Sequence, residues 1–324
     1  MELSSVQKDL ISIIIPCFNE EEMVPLFYKE MLEIMEGTQI VDFELIFVND
    51  GSSDETLGEV RKLAEKDGRV RYLSFSRNFG KEAAMYAGLK YAKGDFVAVM
   101  DVDLQDPPAL LPSMYRTLKS GEYDCVGTKR IDRNGEPKIR SFFAKSFYKV
   151  INGISDNHIV DGARDYRLMT RQMVDAVLEL TEYNRFSKGI FTWVGFHTKY
   201  IEYSNVERPA GKTSWSFWGL LKYSFDGIVA FSEVPLAIAS FIGFIAFIVA
   251  ILLALFFTIR TLIFGNTTSG WTSLMVMILG MGGLQLLCLG IVGKYLGQTF
   301  LETKKRPIYI LKETDEDLEN KSDT

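Results

Sequence analysis

From Val234 to Gly293 the chain carries one charged residue, Arg260. Nothing else in the sequence limits the fold as sharply, because a helix that is apolar on every side has to be buried in a large core or in a bilayer. Residues 234–259 and 271–293 are each long enough to cross a hydrocarbon layer, which takes about 20 residues. Between them Gly265, Asn266, Thr267, Thr268, Ser269 and Gly270 supply a polar turn. The expectation is a transmembrane helical hairpin over 234–297. Lys294, Lys304, Lys305 and Arg306 follow the second span, so the positive-inside rule puts the C-terminal side of the hairpin in the cytoplasm. Residues 1–10 lack a basic stretch leading into an apolar one, so the large N-terminal part is expected on that side as well. Residues 215–231 are rich in Trp and Phe and sparsely charged, as in a helix lying at a membrane interface. The chain thus divides into 1–205, a juxtamembrane segment 206–233, the hairpin, and a basic-then-acidic segment 298–324.

The net charge of −6 says little about ligands, since residues 313–324 alone hold six acids and one lysine. The remainder is close to neutral and offers no electrostatic footprint for nucleic acid. The acidic end reads as a disordered, solubilising tail. Cys17, Cys125 and Cys288 are scattered without metal-ligand spacing and read as reduced packing residues.

Over residues 11–130 short apolar runs alternate with amphipathic ones. Strands are expected at 11–16, 43–48, 70–75, 96–100 and 125–128, and helices at 21–36, 54–66, 81–92 and 108–120. That alternation implies an α/β fold with a mainly parallel sheet, which takes ligands beyond the carboxyl ends of its strands. Polar clusters fall at those ends, at 16–20, 49–54, 76–81 and 101–106, and together describe one site. Asp101 and Asp103 close an apolar strand one residue apart, where both can reach one divalent cation, and hard carboxylate oxygens suit Mg²⁺ or Mn²⁺. Neither G-x-G-x-x-G after the first strand nor G-x-x-x-x-G-K-[ST] occurs, which excludes those two nucleotide-binding loops. From 131 to 205 the pattern is looser, with polar-aromatic segments at 161–170 and 184–196.

Several motifs together resemble one family. They are Ser12 with Pro16, Asn19 and Glu20; the run Val48-Asn49-Asp50-Gly51-Ser52-Ser53-Asp54; Arg77-Asn78-Phe79-Gly80-Lys81; and Asp101-Val102-Asp103-Leu104-Gln105-Asp106-Pro107-Pro108. These look like family 2 inverting glycosyltransferases of the GT-A fold. Asp165-Tyr166-Arg167-Leu168-Met169, the loop with Arg208, Gly211, Lys212 and Ser214, and the two apolar spans narrow the resemblance. It extends over residues 10–306, to bacterial polyprenyl-phosphate glycosyltransferases, relatives of dolichol-phosphate mannose synthase.

The resemblance implies transfer of a sugar from a nucleotide-sugar, UDP-glucose or UDP-N-acetylglucosamine, to polyprenyl (undecaprenyl) phosphate. It implies that Pro16, Asn19, Glu20, Asp50, Lys81, Asp101, Gln105 and Asp106 serve the donor, with Asp50 at the base and Asp101 near the ribose. Asp103, with Asp101, would hold the Mg²⁺ or Mn²⁺ on the diphosphate. Asp165 falls where the family places its acceptor-side carboxylate, as a base or as an orienting group. Arg208 and Lys212 suit the acceptor phosphate at the bilayer surface, since a guanidinium fork matches phosphate geometry. A homo-oligomer is compatible with this pattern. A processive polysaccharide synthase would show Q-x-x-R-W and more membrane helices, and a non-catalytic nucleotide-sugar binder would need fewer of these motifs.

Overall fold

The computed structural model describes residues 8–131, 160, 162–204, 229, 232–264 and 270–317. The chain divides into one unit of residues 1–224 with 307–324 and a second of residues 225–306. The first unit holds β1 (Asp9–Cys17), α1 (Met23–Gly37), β2 (Val41–Asn49), α2 (Thr56–Lys66), β3 (Val70–Phe75), α3 (Lys81–Tyr91) and β4 (Phe96–Val99). A short 3₁₀ turn (Pro108–Leu110) leads into α4 (Leu111–Lys119), then β5 (Cys125–Arg130), β6 (Ala163–Thr170), α5 (Arg171–Glu179), α6 (Ser187–Trp193), β7 (Thr198–Tyr203) and, far along the chain, β8 (Leu311–Thr314).

The strands form one sheet in the order β7-β5-β6-β4-β1-β2-β3-β8. Ile13, Ile14 and Ile15 of β1 are wholly buried, the continuous apolar run expected of a central parallel strand covered on both faces. Phe27, Met31 and Met35 recur every fourth residue along the buried stripe of α1. On the other face α3 comes so near β1 that a Cβ on Gly88 would lie 2.2 Å from Ile14 Cγ2.

Strands β2 and β3 run to one side of β1, and the chain then crosses to place β4 on the other. The crevice between the ends of β1 and β4 is therefore the switch point where α/β sheets bind ligands. Pro16 sits there without loss to the ladder. The last β1–β4 pair is Ile14 with Val99, so the side on which Pro16 lacks an N–H is the side where β4 has ended.

The sheet is mainly parallel, as expected, and β6 runs antiparallel to both β4 and β5 within it. This strand arises from the segment with loose periodicity, where Arg164, Asp165 and Arg167 interrupt the apolar pattern while Tyr166, Leu168 and Met169 enter the core. The acidic end, expected as a disordered tail, departs from that reading over its described residues 313–317: Leu311–Thr314 form β8, antiparallel to β3. The acids meet fixed partners there: Glu313 takes a fork from Arg61, at 2.8 Å from Nε and 2.5 Å from Nη2, and a bond from Tyr72 Oη at 2.6 Å. Asp315 accepts from Arg71 Nε at 3.2 Å and from Tyr91 Oη at 2.9 Å.

The second unit contains α7 (Val234–Phe264) and α8 (Trp271–Thr303), two helices long and apolar enough to cross a membrane. They run past the expected ends of the spans, since isolated charges such as Lys294 do not stop a helix. The two pair antiparallel: Tyr295 Oη donates to the Ser232 carbonyl at 2.7 Å, and Cys288 lies against the Ala239 carbonyl. Apolar side chains such as Phe241, Phe247, Leu286 and Leu289 are exposed along both helices. The expected interfacial helix at 215–231 and the polar turn at 265–270 lie outside the described residues, apart from Val229 and Gly270.

Candidate active site

The loops that leave β1, β2 and β3 are tied into one rim. Asn19 adopts a left-handed φ of 55°, which Asn tolerates better than most residues. Its backbone N–H donates to Ser52 Oγ at 3.0 Å, and its side-chain oxygen accepts from the Ser53 N–H at 2.9 Å. Beside it the Glu20 N–H donates to Thr56 Oγ1 at 2.8 Å. Gly51, at φ 66°, lies against the next loop, and a Cβ there would come within 2.3 Å of the Arg77 carbonyl carbon. That contact and the positive φ both require glycine.

Asp50 accounts for the other half of this junction. Its carboxylate accepts from the Phe79 N–H at 2.6 Å and the Gly80 N–H at 2.9 Å, and the residue is 3 % exposed. Burial pushes its carboxyl upward, against the pull of those two amides. The structure thus gives Asp50 the task of holding the 76–80 loop, which in turn delivers Lys81 at the start of α3.

Lys81 reaches two carboxylates. Its ammonium lies 2.6 Å from Asp101 Oδ1 and 2.5 Å from Asp165 Oδ2. The antiparallel register explains why these two acids meet. Val99 of β4 pairs with Arg167 of β6, so two residues further on Asp101 falls opposite Asp165. Burial would raise the Asp165 carboxyl, but Lys81, Lys188 and Arg167 outweigh it and hold Asp165 well below the usual carboxylate range. Burial works against the Lys81 ammonium too, and the two acids overcome it and hold the proton on.

Asp103 and Gln105 belong to the turn that follows. The Gln105 N–H donates to Asp103 Oδ1 at 3.2 Å, and Leu104 between them takes a φ of 57°. A leucine in that region costs of order 1–3 kcal/mol, a strain typical of functional loops. Burial and the neighbouring Asp101 charge push the Asp103 carboxyl above its ordinary value. The donor set of Asp101 and Asp103 fits a hard divalent cation, which would relieve that repulsion. Among the described residues no group of three or more His, Cys, Asp or Glu could hold a metal, so water and a ligand's phosphates would complete the shell.

Asp106, like Asp50, is buried and bound to protein groups. It is 2 % exposed, accepts from Arg164 Nε at 3.0 Å and from the Tyr203 hydroxyl, and so ties the turn after β4 to β6 and β7. Burial raises its carboxyl, with Arg164 opposing. Arg208 and Lys212 lie outside the described residues.

Several supporting residues were missed by the sequence reading. Arg167 is buried, stacks over the Phe191 ring at 3.9 Å and donates to the carbonyls of Asp165 and Arg164. Glu82 accepts from the Ser187 N–H at 3.0 Å and from its hydroxyl, which binds α6 to α3 beside Lys81. The only local signal was the pair of arginines flanking Asp165; nothing in the sequence joined Glu82 to Ser187.

Residues 12–178 match the family described as Glycosyl transferase family 2. The chain is 43% identical over 302 residues to the prophage bactoprenol glucosyl transferase homolog of Escherichia coli (strain K12), covering 93% of this chain and 98% of that one. It is 42% identical over 304 residues to the SfII prophage-derived bactoprenol glucosyl transferase of Shigella flexneri, covering 94% and 98%. An uncharacterised glycosyltransferase of Synechocystis sp. is 39% identical over 301 residues, covering 93% and 94%.

Proposed function

This chain belongs to glycosyl transferase family 2, and on that footing we propose that it transfers glucose from UDP-glucose to a polyprenyl phosphate, with inversion at the anomeric carbon and a divalent cation on the donor. The observation that carries the reading is the placement of Asp101 and Asp103 at the switch point of the sheet, with Asp165 facing Asp101 across β4 and β6. The names of the relatives support the sugar and the lipid.

In this reading the donor lies over the ends of β1 and β4, with Pro16, Asn19, Glu20 and Gln105 beside it. Mg²⁺ or Mn²⁺, when bound by Asp101 and Asp103, neutralises the charge that develops on the departing nucleoside diphosphate. An acceptor phosphate oxygen attacks the anomeric carbon from the opposite face. Phosphate monoesters lose their second proton near pH ~6, so the nucleophile is already anionic and needs no strong base. Asp165 is already paired with the Lys81 ammonium at 2.5 Å, which supports a role in orienting the acceptor side. Arg208 and Lys212 hold the acceptor phosphate.

The same reading sets the membrane topology. The hairpin is an insertion between two parts of one unit, since the chain returns after α8 to add β8 to the sheet. Both ends of the hairpin then lie on one side of the bilayer, and the basic residues after the second span make that side cytoplasmic.

The test uses membranes containing the protein, supplied with polyprenyl phosphate and radiolabelled UDP-glucose or UDP-N-acetylglucosamine, followed by organic extraction. Label from UDP-glucose should enter a lipid carrying a single sugar, and only when polyprenyl phosphate is present. Release of free sugar without a lipid product, growth of a polymer, or transfer of N-acetylglucosamine alone would refute the proposal.

A further inference from the structure

The strand-end site contains its own cation. Asp101, two residues beyond the last β4–β6 pair of Val99 with Arg167, shares one ammonium with Asp165 of β6, and two like charges this close repel unless something lies between them. The Lys81 ammonium occupies that position, within 2.6 Å of one carboxylate and 2.5 Å of the other. Asp103 stands close enough for its carboxyl to feel the Asp101 charge as well. Lys81 is also the first residue of α3, where the helix dipole disfavours a cation and favours an anion. The ammonium is therefore held by the two acids against the preference of its own helix.

We propose that Lys81 is a resident counter-ion that competes with a free divalent cation for Asp101, so that the cation enters together with the donor's diphosphate and not ahead of it. A free cation approaching Asp101 meets an ammonium already at hydrogen-bond distance from the same carboxylate. A cation that carries a diphosphate brings negative charge with it, which offsets that repulsion and suits the N-terminus of α3. The small number of carboxylates points the same way, because the described residues include no cluster able to hold a metal by themselves. Lys81 acts here as a positioning residue that couples the donor-side acid to the acceptor-side acid. The inference rests on the metal-assisted donor binding proposed above.

The experiment measures Mn²⁺ binding by electron paramagnetic resonance on the full chain in detergent, with and without UDP, for the wild type, Lys81→Gln, Lys81→Met and Lys81→Arg. Wild type and Lys81→Arg should bind Mn²⁺ weakly alone and much more tightly with UDP. Lys81→Gln and Lys81→Met should bind free Mn²⁺ about fivefold more tightly than the wild type, the scale of one partly exposed ion pair. A purely structural lysine would leave that affinity unchanged or lower it. If UDP-dependent Mn²⁺ binding is intact but free Mn²⁺ binds the neutral variants no better, the inference fails and the donor reading stands. Wild type that binds free Mn²⁺ as tightly without UDP as with it also overturns the inference, with no variant needed. Absence of Mn²⁺ binding in every protein, with and without UDP, overturns both.

Discussion

Replacing Glu313 should release the C-terminal strand from the sheet without unfolding the domain. Glu313 takes the Arg61 fork on its two oxygens and the Tyr72 hydroxyl on one of them. Arg61 is 40% exposed at its side chain, so its ion pair is discounted for solvent to roughly 0–1 kcal/mol. Tyr72 is wholly buried, and leaving its hydroxyl without an acceptor costs about 1–3 kcal/mol. Glu313→Ala should then cost about 2 kcal/mol in closing β8 onto β3, a factor of ~30 in the ratio of closed to open forms. Hydrogen exchange reads this directly where exchange follows the opening equilibrium. The Ser76 amide, which donates to the Ile310 carbonyl at 3.0 Å, should exchange ~30-fold faster, while amides between β1 and β2 keep their protection. Glu313→Gln retains an acceptor for Tyr72 and should lose less. Unchanged exchange at Ser76 in Glu313→Ala would refute the argument that these side chains hold the strand.

Four further outcomes are expected. Asp103→Asn should lower sugar transfer by about a hundredfold or more. Its melting temperature should hold or rise, because burial already disfavours the ionised form, and calorimetry beside the lipid assay separates the two effects. Asp106→Asn should instead destabilise by about 3 kcal/mol through the broken Arg164 pair, with Mn²⁺–UDP affinity of the folded protein retained; weaker nucleotide binding at unchanged stability would make Asp106 a donor residue. Arg208→Ala should raise the KM for polyprenyl phosphate about tenfold and leave UDP affinity alone, and Arg208→Lys should recover part of the loss because the fork is gone. A cysteine placed at Thr267 should react with an impermeant reagent in intact cells and one at Ser322 should not; the reverse pattern would put the catalytic unit outside.

Much of the architecture follows from local pattern alone. Strands β1 to β5 and helices α1 to α4 arise where apolar periodicity changes from two to 3.6, and the run after Val234, with Arg260 its one charge as far as Gly293, leaves little choice for α7 and α8. The acids at the end of β4 were equally legible, because residue type and strand end sit within a few positions of each other. What tertiary structure decided is which groups meet. Asp165 faces Asp101 only through the register of β4 with β6, and Lys81 lies between them only because Asp50 and Gly51 fix the loop that starts α3. Asp106 looks like its neighbours in sequence yet is buried on Arg164 and Tyr203. The acidic end has the composition of a disordered tail, and its described residues 313–317 are ordered because Arg71 and Tyr72 of β3, with Arg61 of α2 and Tyr91 of α3, offer them partners at the open edge of the sheet. Periodicity and composition are properties of a short stretch of chain. The pairing of charges depends on strand register and on edges left open by distant segments, and those exist only once the sheet has formed.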